Sequence, residues 1–466
     1  MPSPRRILLL NPSPIYAGSR ATARSSLQPG LVSLFSYLSA RGVPVDVLDL
    51  HVEVGVPAEA ADVTQAASAA LALTLARDFD VLAVSCNSSY HYLPALDLAA
   101  GVRAAAPGVT IVAGGCHATA APRDFAFPGS PFDIVVRGEG ELELEAIAAE
   151  LVRPASAAVR IGRPLPLDRF YADFTGYPYW IGNAHILPFP LSRGCPFACV
   201  FCAGADHQTW RAYPPKVALA LVRQMAATGA EVLTFCDPCF GLRSGWRREF
   251  LQGLAELRPE QAIQLETRAD TLDDESIDLL ARVDCLVGLG LESGSPRMLE
   301  TMRKARDGTV FLRHSLELLA QLGRHQIPTN VFLLVNHPGE DRESLTATVE
   351  LARRAAAMAH AWSAYTTGHA YIHFPGTAVD DDIDEWRARG TGFEHPRWWA
   401  ERGPQGEWSD GTRTGVSAGD VEEALTEILH SRAAAIAAMP LEARLTWRRV
   451  RAPLRLPRKL GGLGPA

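Results

Sequence analysis

The sequence contains two successive series of short apolar runs that alternate with longer amphipathic stretches. The first series extends from residue 5 to residue 152, and the second begins near residue 187. This alternation is typical of strand–helix units, whose parallel strands form a buried sheet. Two such series in a chain of 466 residues predict two α/β domains.

The first series predicts a doubly wound, Rossmann-like parallel sheet. Its strands are predicted at 6–10, 45–49, 80–84, 109–113 and 133–136, and its helices near 30–41, 62–77, 93–106 and 139–151. Ligands of such sheets bind beyond the carboxyl ends of the strands. The loops expected at that edge are 11–16, 85–91, 114–117 and 137–140.

The second series predicts an incomplete barrel of six strand–helix units, a partial (β/α)6 barrel. Its strands are predicted near 187–191, 231–235, 263–267, 285–291, 328–335 and 366–373. Barrel active sites lie at the carboxyl ends of the strands. The predicted domains are therefore 1–152 and 187–378, with a proline- and aromatic-rich linker at 153–186 and a small helical region at 379–466.

The predicted helical region contains an expected helix at about 418–438, an aromatic cluster and a basic tail. The cluster consists of Trp386, Phe393, Trp398, Trp399 and Trp408, and such a group is more typical of a small core than of a substrate platform. Residues 444–459 contain seven basic side chains and no acidic one. A run of this kind is usually a solvated tail, and contact with an acidic substrate or partner is the alternative.

A cysteine loop follows the first predicted strand of the second series. Cys195, Cys199 and Cys202 have C-x3-C-x2-C spacing, with Gly194 before the first and Phe201 before the last. Three thiolates can hold three irons of a four-iron cluster and leave the fourth iron open to a ligand. Two alternatives remain from the spacing alone. The loop could bind zinc with His207 as the fourth ligand, or the thiols could be buried in a core.

Charge and cysteine content limit the compartment and the partners. The 52 acidic and 45 basic residues give a net charge of −7, so no global basic field attracts nucleic acid. The apolar run near the N-terminus is too short for a signal peptide or a membrane span. Eight cysteines, three of them in one loop, fit a reducing compartment better than a disulfide framework. We therefore expect a cytoplasmic protein that has no membrane or nucleic-acid partner.

Motifs at the predicted strand ends extend the pattern that begins at the cysteine loop. Five of them follow the loop, at 235–240, 266–270, 290–295, 336–340 and 374–377, and four more lie in the first series, at 28–31, 47–50, 114–119 and 138–141. Together with the loop they resemble radical S-adenosylmethionine (SAM) enzymes that carry an N-terminal cobalamin-binding domain, the class B methyltransferase type. The resemblance covers most of residues 5–378.

The resemblance implies three cofactors, which are a [4Fe–4S] cluster, SAM and cobalamin. It assigns the cluster to Cys195, Cys199 and Cys202. Asp237 would contact the amino group of SAM, and Glu266, Arg268, Glu292 and Ser293 correspond to positions that hold its carboxylate and ribose. Cys239 is a candidate donor of a hydrogen atom or an electron. The implied cobalamin contacts are Ser85, Asn87, Ser88, Gly114, Gly115, His117, Gly138 and Glu139.

The first domain departs from cobalamin proteins that ligate cobalt through histidine. Those proteins have a D-x-H-x-x-G motif after the first strand, whereas this chain has Asn-Pro-Ser-Pro-Ile-Tyr at 11–16. A near match at Asp49 and His51 follows the second strand, and its glycine, Gly55, is one place late, so we reject it. His91 or His117 could approach the cobalt instead, and loss of cobalamin binding is the alternative.

The resemblance implies a methyltransferase that acts on an unactivated carbon, or on phosphorus, of a specialised small metabolite. One rival activity keeps both cofactors and performs cyclisation or rearrangement without methyl transfer. A rival of another class is a cobalamin- or metal-responsive binding protein without turnover. An enzyme of this kind also needs a flavodoxin- or ferredoxin-type reductant.

Overall fold

The computed structural model describes residues 4–13, 27–55, 62–150, 157–169, 174, 176–180, 186–203, 209–358, 365–401, 411–438 and 458–459. The chain divides into two compact units. Unit 1 comprises Met1–Ala184, Arg397–Trp408 and Leu454–Ala466, and unit 2 comprises His185–Pro396 and Ser409–Pro453. Trp408, and residues 444–457 of the basic tail, lie outside the described residues.

Unit 1 is built on a six-stranded parallel sheet in the order β2-β1-β3-β4-β5-β6. The strands are β1 (Ile7–Asn11), β2 (Val45–Asp49), β3 (Val81–Ser85), β4 (Thr110–Gly114), β5 (Ile134–Arg137) and β6 (Ala158–Ile161). The order reverses between β1 and β3, which is the point where doubly wound sheets bind ligands. The predicted Rossmann-like sheet is confirmed, and its first five strands lie within one residue of their predicted positions.

The helices of unit 1 are α1 (Pro29–Ala40), α2 (Leu50–Glu53), α3 (Asp62–Leu75), α4 (Tyr92–Ala105), α5 (Cys116–Ala120) and α6 (Glu141–Ala149). Short 3-10 turns lie at Ser89–His91, Pro122–Asp124 and Trp398–Ala400, and a two-residue antiparallel pair joins Tyr179–Trp180 to Arg458–Lys459. The helices explain why β1 reads as a continuous apolar run, because a parallel strand covered on both faces is buried throughout.

The sixth strand of this sheet lies inside the segment that was predicted to be a linker. Residues Ala158–Ile161 pair with β5, so the linker prediction is wrong for this stretch. The strand is at the sheet edge and alternates between half-buried and exposed residues, with Ile161 65% exposed. An edge strand with one solvated face lacks the continuous apolar run of a central strand, and its sequence signal is correspondingly weak.

Unit 2 contains a second six-stranded parallel sheet. In chain order its strands are β7 (Ile186–Pro188), β8 (Val232–Phe235), β9 (Ala262–Arg268), β10 (Cys285–Glu292), β11 (Thr329–Val335) and β12 (Tyr365–Ala370). Each strand pairs with the next one along the chain. A sheet that runs from β7 to β12 in sequence order confirms the predicted partial barrel.

The helices of unit 2 are α7 (Pro215–Ala226), α8 (Ser244–Leu257), α9 (Asp274–Leu280), α10 (Pro296–Thr301), α11 (Gly308–Arg324), α12 (Arg342–Met358), α13 (Ala378–Asp381), α14 (Ile383–Ala388) and α15 (Ala418–Ala438). Two-residue antiparallel pairs join Ser192–Arg193 to Arg211–Ala212 and Gly392–Phe393 to Thr412–Arg413. Helix α15 coincides with its predicted range and packs on β12 and α12. Across the described ranges, none of the helices has the length and apolar character needed to cross a bilayer.

The aromatic cluster of the C-terminal region is divided between the two units. Trp386 and Phe393 belong to a buried apolar cluster of unit 2, together with Val200 from the cysteine loop. Trp398 and Trp399 are buried in unit 1, where the Trp399 indole donates to Asp124 Oδ2 at 2.7 Å. These four side chains therefore serve as core residues, as their composition predicted.

Candidate active site

Hydrogen bonds and a ring contact fix the part of the cysteine loop that contains Val200 and Phe201. The loop begins at Gly194, whose φ of +80° is a conformation that glycine adopts without strain. Within the loop, the Val200 N–H donates to the Met302 carbonyl at 3.0 Å, and the Val200 carbonyl accepts from Val379 N–H at 3.2 Å. Phe201 packs edge-on against His337. The backbone between Cys199 and Cys202 is thus held by residues that follow the fourth strand (β10) and the last strand (β12) of the barrel.

All three loop cysteines are partly exposed and form no disulfide. As they stand, no three His, Cys, Asp or Glu side chains in the described part of the chain are grouped closely enough to coordinate an ion. The fourth ligand of the zinc alternative, His207, lies outside the described residues. Three free thiols on one loop are the donor set that an iron–sulfur cluster requires.

Arg268, at the end of β9, contacts the cysteine loop directly. Its guanidinium carbon lies 3.8 Å from the centroid of the Phe197 ring, and Nη1 lies 3.8 Å from Cys199 Sγ. Asp270 accepts from Nε and Nη2, both at 2.9 Å, and the Lys304 carbonyl accepts from Nη2 at 2.7 Å. The side chain is buried, so its donors are committed to the loop and its neighbours rather than turned to a free ligand.

Glu292 and Lys304 form a buried ion pair over the end of β10. Lys304 Nζ donates to Glu292 Oε1 at 2.9 Å, and the two side chains are 6% and 12% exposed respectively. The register of β10 shifts between Gly290 and Glu292, and Glu292 has a φ of +68°. A Cβ on Gly290 would lie 2.6 Å from Glu292 Oε1, so a larger residue there would displace the ion pair from this position.

Lys304 was not predicted as a site residue, because it follows α10 and belongs to no strand-end motif. Its charge, with that of Arg268, acts on Cys199 and opposes the rise that burial causes in the pKa of the Cys199 thiol. Lys304 stands between Arg303 and Arg306, and nothing in the sequence distinguishes it from these two exposed neighbours.

Asp237 has a carboxylate oxygen that no described residue satisfies. Its Oδ1 accepts a short hydrogen bond from the Ser192 hydroxyl, which ties the end of β8 to the strand that leads into the cysteine loop. Its Oδ2 is sealed from solvent and has no hydrogen-bond partner among the described residues. Burial raises the pKa of Asp237 to about 6, and the Ser192 bond offsets part of that rise. An ammonium group would satisfy this oxygen.

Two other residues predicted to contact SAM, Glu266 and Ser293, differ in exposure. Glu266 is exposed near the end of β9 and can reach a ligand. Ser293 is fully buried, and its hydroxyl is shared with Thr348 at 2.9 Å and accepts from the Ser295 N–H at 3.1 Å. The ribose contact predicted for Ser293 stays a prediction that this geometry does not favour.

Cys236 and Cys239 flank Asp237 with opposite exposures. Cys239 is 1% exposed, and its Sγ lies 3.8 Å from the Thr267 hydroxyl. Cys236 has an exposed side chain. Because Cys239 is buried next to Thr267, this geometry does not favour hydrogen donation to a substrate, and its role as a donor stays a prediction.

Buried polar atoms without hydrogen-bond partners lie at the carboxyl edge of the unit 1 sheet, where the strand order reverses between β1 and β3. Asn11 donates to Asp49 Oδ1 at 3.0 Å. Asn11 Oδ1, His91 Nδ1 and Tyr177 Oη are buried and have no hydrogen-bond partner among the described residues. Buried polar atoms are normally satisfied, so this edge fits a ligand that carries amide donors and acceptors, as the corrin side chains of cobalamin do.

The two histidines considered for cobalt have different surroundings. His117 is fixed at both ring nitrogens, by Ser89 Oγ at 2.8 Å and by Asp124 Oδ2 at 3.3 Å. His91 Nδ1 has no hydrogen-bond partner among the described residues, and burial lowers the pKa of His91 to about 4, which keeps the ring neutral. A metal ligand needs a neutral nitrogen without a partner, so this geometry favours His91 Nδ1, and the cobalamin contact predicted for His117 stays a prediction.

The remaining predicted cobalamin residues form the β3 and β4 loops and the turn after β5. Ser85 and Ser88 are half-buried, and Asn87 is exposed and contacts Gln28 and Cys116. A Cβ on Gly115 would lie 2.7 Å from the Cys86 carbonyl, so glycine lets the two loops meet, whereas Gly114 faces open space. Gly138 and Glu139 are bound within the protein, by Thr119 and by the Leu165 N–H.

Comparison with known families divides the chain at the same place as the fold. Residues 24–148 match the B12 binding domain, and residues 189–352 match the Radical SAM superfamily. The chain carries a B12-binding domain followed by a radical SAM domain. These domains identify a [4Fe–4S] cluster, SAM and cobalamin as the cofactors.

Two relatives of known sequence carry the name methyltransferase. An uncharacterised methyltransferase of Pyrococcus horikoshii is 24% identical over 59% of this chain and 64% of its own length. The cobalamin-dependent radical SAM methyltransferase TokK of Streptomyces tokunonensis is 27% identical over 57% of this chain and 43% of its own. The chain thus spans less than two thirds of the length of these curated relatives.

Solved structures share the fold. The radical SAM methyltransferase TsrM from Kitasatospora setae, with tryptophan and a SAM analogue bound, has a TM-score of 0.67 at 18% identity, over 83% of this chain and 77% of TsrM. The cobalamin-dependent SAM radical enzyme OxsB has a TM-score of 0.56 at 16% identity, over 77% of this chain and 53% of OxsB. Both support the predicted succession of a Rossmann-like domain and a partial barrel.

The Arg268→Lys variant tests how the radical SAM domain holds its cluster. Lysine keeps the charge but cannot form the paired bonds to Asp270 or stack as well on Phe197. We expect fewer irons retained per chain after desalting, and a loop stability loss of about 1–3 kcal/mol, the usual cost of hydrogen bonds to a charged group. Iron analysis and cluster absorbance measure this loss.

Arg248→Lys is the matched control, because Arg248 pairs with Glu275 at an exposed site on α8. It should retain wild-type iron content. If Arg268→Lys instead keeps its iron and only weakens SAM binding, then the SAM contact predicted from sequence is the correct role of Arg268.

Proposed function

We propose that this protein is a cobalamin-dependent radical SAM methyltransferase that acts on an unactivated carbon, or on phosphorus, of a small metabolite. One observation carries the proposal. The Ser192 hydroxyl joins the cysteine loop's leading strand to Asp237, whose second oxygen is buried and unsatisfied. A cluster loop and a carboxylate suited to an ammonium therefore occupy neighbouring strand ends, β7 and β8.

When bound, the cluster supplies one electron that cleaves SAM to a carbon radical, and cobalamin supplies the methyl group. The chain's own residues position these groups. Asp237 accepts from the ammonium of SAM, while the exposed Glu266 lies one strand further along the same edge. Lys304 donates to Glu292 Oε1 and fixes this carboxylate at the end of β10, where Glu292 contacts the bound SAM.

The names of the relatives favour methyl transfer to a small molecule. TokK is a cobalamin-dependent methyltransferase, and TsrM was solved with tryptophan as its substrate. Relatives that act on tRNA also occur, such as the tRNA-2-methylthio-N6-dimethylallyladenosine synthase of Mycolicibacterium paratuberculosis, at 26% identity. The net charge of −7 favours the small-molecule substrate.

The location and the reductant are part of the same proposal. All eight cysteines are free, as expected of a protein in the reducing cytoplasm. A cluster that must receive one electron at a time needs a one-electron carrier, such as a flavodoxin or a ferredoxin.

A label experiment tests the proposal without a known substrate. The anaerobically reconstituted enzyme, loaded with hydroxocobalamin, is incubated with dithionite and trideuteromethyl SAM. We expect the deuterated methyl group in the cobalamin fraction and 5′-deoxyadenosine in solution. Deoxyadenosine without labelled cobalamin would favour cyclisation or rearrangement, and absence of deoxyadenosine would favour a binding protein.

A further inference from the structure

A cavity of about 830 Å³ in unit 2 is lined by the cysteine loop and by the segment around α10 and α11. Its loop side consists of Pro196, Phe197 and Ala198, which lie between the first two cysteines. The proposed SAM contacts at Asp237, Glu266 and Glu292 do not line it. The proposed function therefore gives this cavity no role.

One side chain connects the cavity to the sulfur of Cys199. Arg268 lines the cavity, stacks on Phe197 and places Nη1 3.8 Å from Cys199 Sγ. A group bound in the cavity would thus be separated from that sulfur by a single guanidinium. Arg268 is buried, so it forms a fixed floor rather than a mobile surface group.

The three acidic side chains that line the cavity are all engaged within the protein. Asp270 pairs with Arg268, Glu300 Oε1 accepts from the Gly308 N–H at 3.0 Å, and Asp307 caps α11 by accepting from the Val310 N–H at 2.9 Å. Their charges are therefore partly offset or turned to the backbone.

Two cations of the same cavity are left without an acidic partner. Arg303 and Arg306 are exposed, and neither forms an ion pair within the described residues. His314, also exposed, adds a third basic side chain. The cavity thus has a basic rim on a chain whose net charge is −7.

A second cavity of unit 2 provides an internal comparison. It has a volume of about 880 Å³ and is lined by Arg258 and Arg282, which are exposed and likewise form no ion pair within the described ranges. It lies at the amino ends of β9 and β10 and touches no residue of the cysteine loop. Basic side chains alone do not distinguish the two cavities, whereas contact with the cysteine loop does.

We propose that the cavity formed by Phe197, Arg268, Arg303 and Arg306 is the docking face for an acidic one-electron carrier protein, which reduces the cluster at the Cys199 corner. This inference rests on the proposed function, because it assumes that the loop holds the cluster. In the step, one electron leaves the reduced carrier and enters the cluster, and no bond or proton is exchanged. Opposite charges on the two partners speed their encounter and orient it.

The test compares two double variants with the same change of charge. Arg303→Glu with Arg306→Glu reverses the rim, and Arg258→Glu with Arg282→Glu reverses the other cavity. The pair is well matched, because Arg303 and Arg258 both have positive φ values, +51° and +47°. Cluster bleaching is followed by stopped flow, with reduced flavodoxin as the acidic carrier and with dithionite as a small reductant that needs no docking face.

The rim variant should lose about tenfold or more of the flavodoxin-driven rate at low salt, the usual size of electrostatic steering. Its dithionite-driven rate, and that of the other double variant with either reductant, should equal wild type. Added salt should slow the wild-type reaction with flavodoxin, because it screens the attraction, and should speed that of the rim variant, because it screens the repulsion between the acidic carrier and the reversed rim.

An unchanged flavodoxin rate in the rim variant would overturn the proposal, as would equal losses in both double variants. Loss of the dithionite rate in the rim variant would also overturn it, because that result would mean damage to the cluster rather than to docking. Failure of the proposed function is distinguishable, since wild-type protein would then show no dithionite-reducible cluster. Arg303→Gln with Arg306→Gln, which removes charge without reversal, should show a smaller loss of the same kind.

Discussion

The Cys199→Ala variant is expected to lose its iron–sulfur cluster and to cleave SAM no faster than the uncatalysed background. Cys199 is the middle ligand of the loop, and both cations that approach the loop, Arg268 and Lys304, act on it. Removal of its thiolate leaves two ligands for a cluster that needs three from the protein. Iron and sulfide analysis after anaerobic reconstitution, together with deoxyadenosine detection, measures both effects.

Cys285→Ala is the control for this variant. Cys285 is a buried thiol in the same unit, at the amino end of β10, and its only described hydrogen bond goes to the Leu280 carbonyl. It should keep full iron content with at most a small loss of stability. Full iron content in Cys199→Ala would refute the assignment of the cluster to this loop.

The Asp237→Asn variant is expected to bind SAM less well and yet to be more stable in its absence. Asparagine retains an oxygen that can accept from Ser192 but removes the buried charge. Loss of a hydrogen bond to a charged ammonium costs about 1.5–3 kcal/mol, which corresponds to about 10- to 150-fold in SAM affinity. Equilibrium dialysis of SAM against the reconstituted protein measures the loss.

The gain in stability follows from the pKa of Asp237. Burial raises it from an ordinary value of 3.8 to about 6, so the folded protein binds this proton more tightly than the unfolded chain does. The stabilisation by the proton is complete below about pH 4 and is lost as the pH rises through 6. Each unit of pKa difference between the folded and unfolded states corresponds to about 1.4 kcal/mol. At high pH the wild type therefore lacks up to about 3 kcal/mol of stabilisation that the uncharged variant keeps.

Thermal unfolding of the SAM-free holoprotein at pH 5 and pH 8 measures this effect. The advantage of Asp237→Asn over wild type should be larger at pH 8. Asp284→Asn, at an exposed site before β10, should change neither SAM affinity nor stability. A variant that is less stable than wild type at pH 8 would show that the Asp237 carboxylate stabilises the fold and is not reserved for binding SAM.

Burial determined how well the fold was predicted from sequence. Central parallel strands such as β1 and β10 are covered on both faces, so their residues form unbroken apolar runs, and their predicted positions were accurate. The edge strand β6 has a solvated face and was assigned to a linker for that reason. Helix α15 was predicted correctly because its apolar face contacts the last strand of the barrel.

Candidate site residues were predicted best where a motif ends a strand. Asp237 and Glu292 lie at such ends, as the motifs indicated, and their contacts with SAM stay predictions. The partners of these residues were not identified from sequence, because Ser192 and Lys304 are distant along the chain and approach only in the folded sheet. The position of Arg268 was found, but the stack on Phe197 gives it a different set of contacts from those expected.

The packing of Val200 against Trp386 and Phe393 has a consequence for how the protein matures. These aromatic residues lie after the barrel, so the segment between Cys199 and Cys202 is fully supported only once the chain beyond residue 378 has folded. We therefore expect cluster insertion to follow completion of synthesis rather than accompany it. A ribosome-bound chain that ends at the barrel would carry every cysteine ligand and still retain iron poorly.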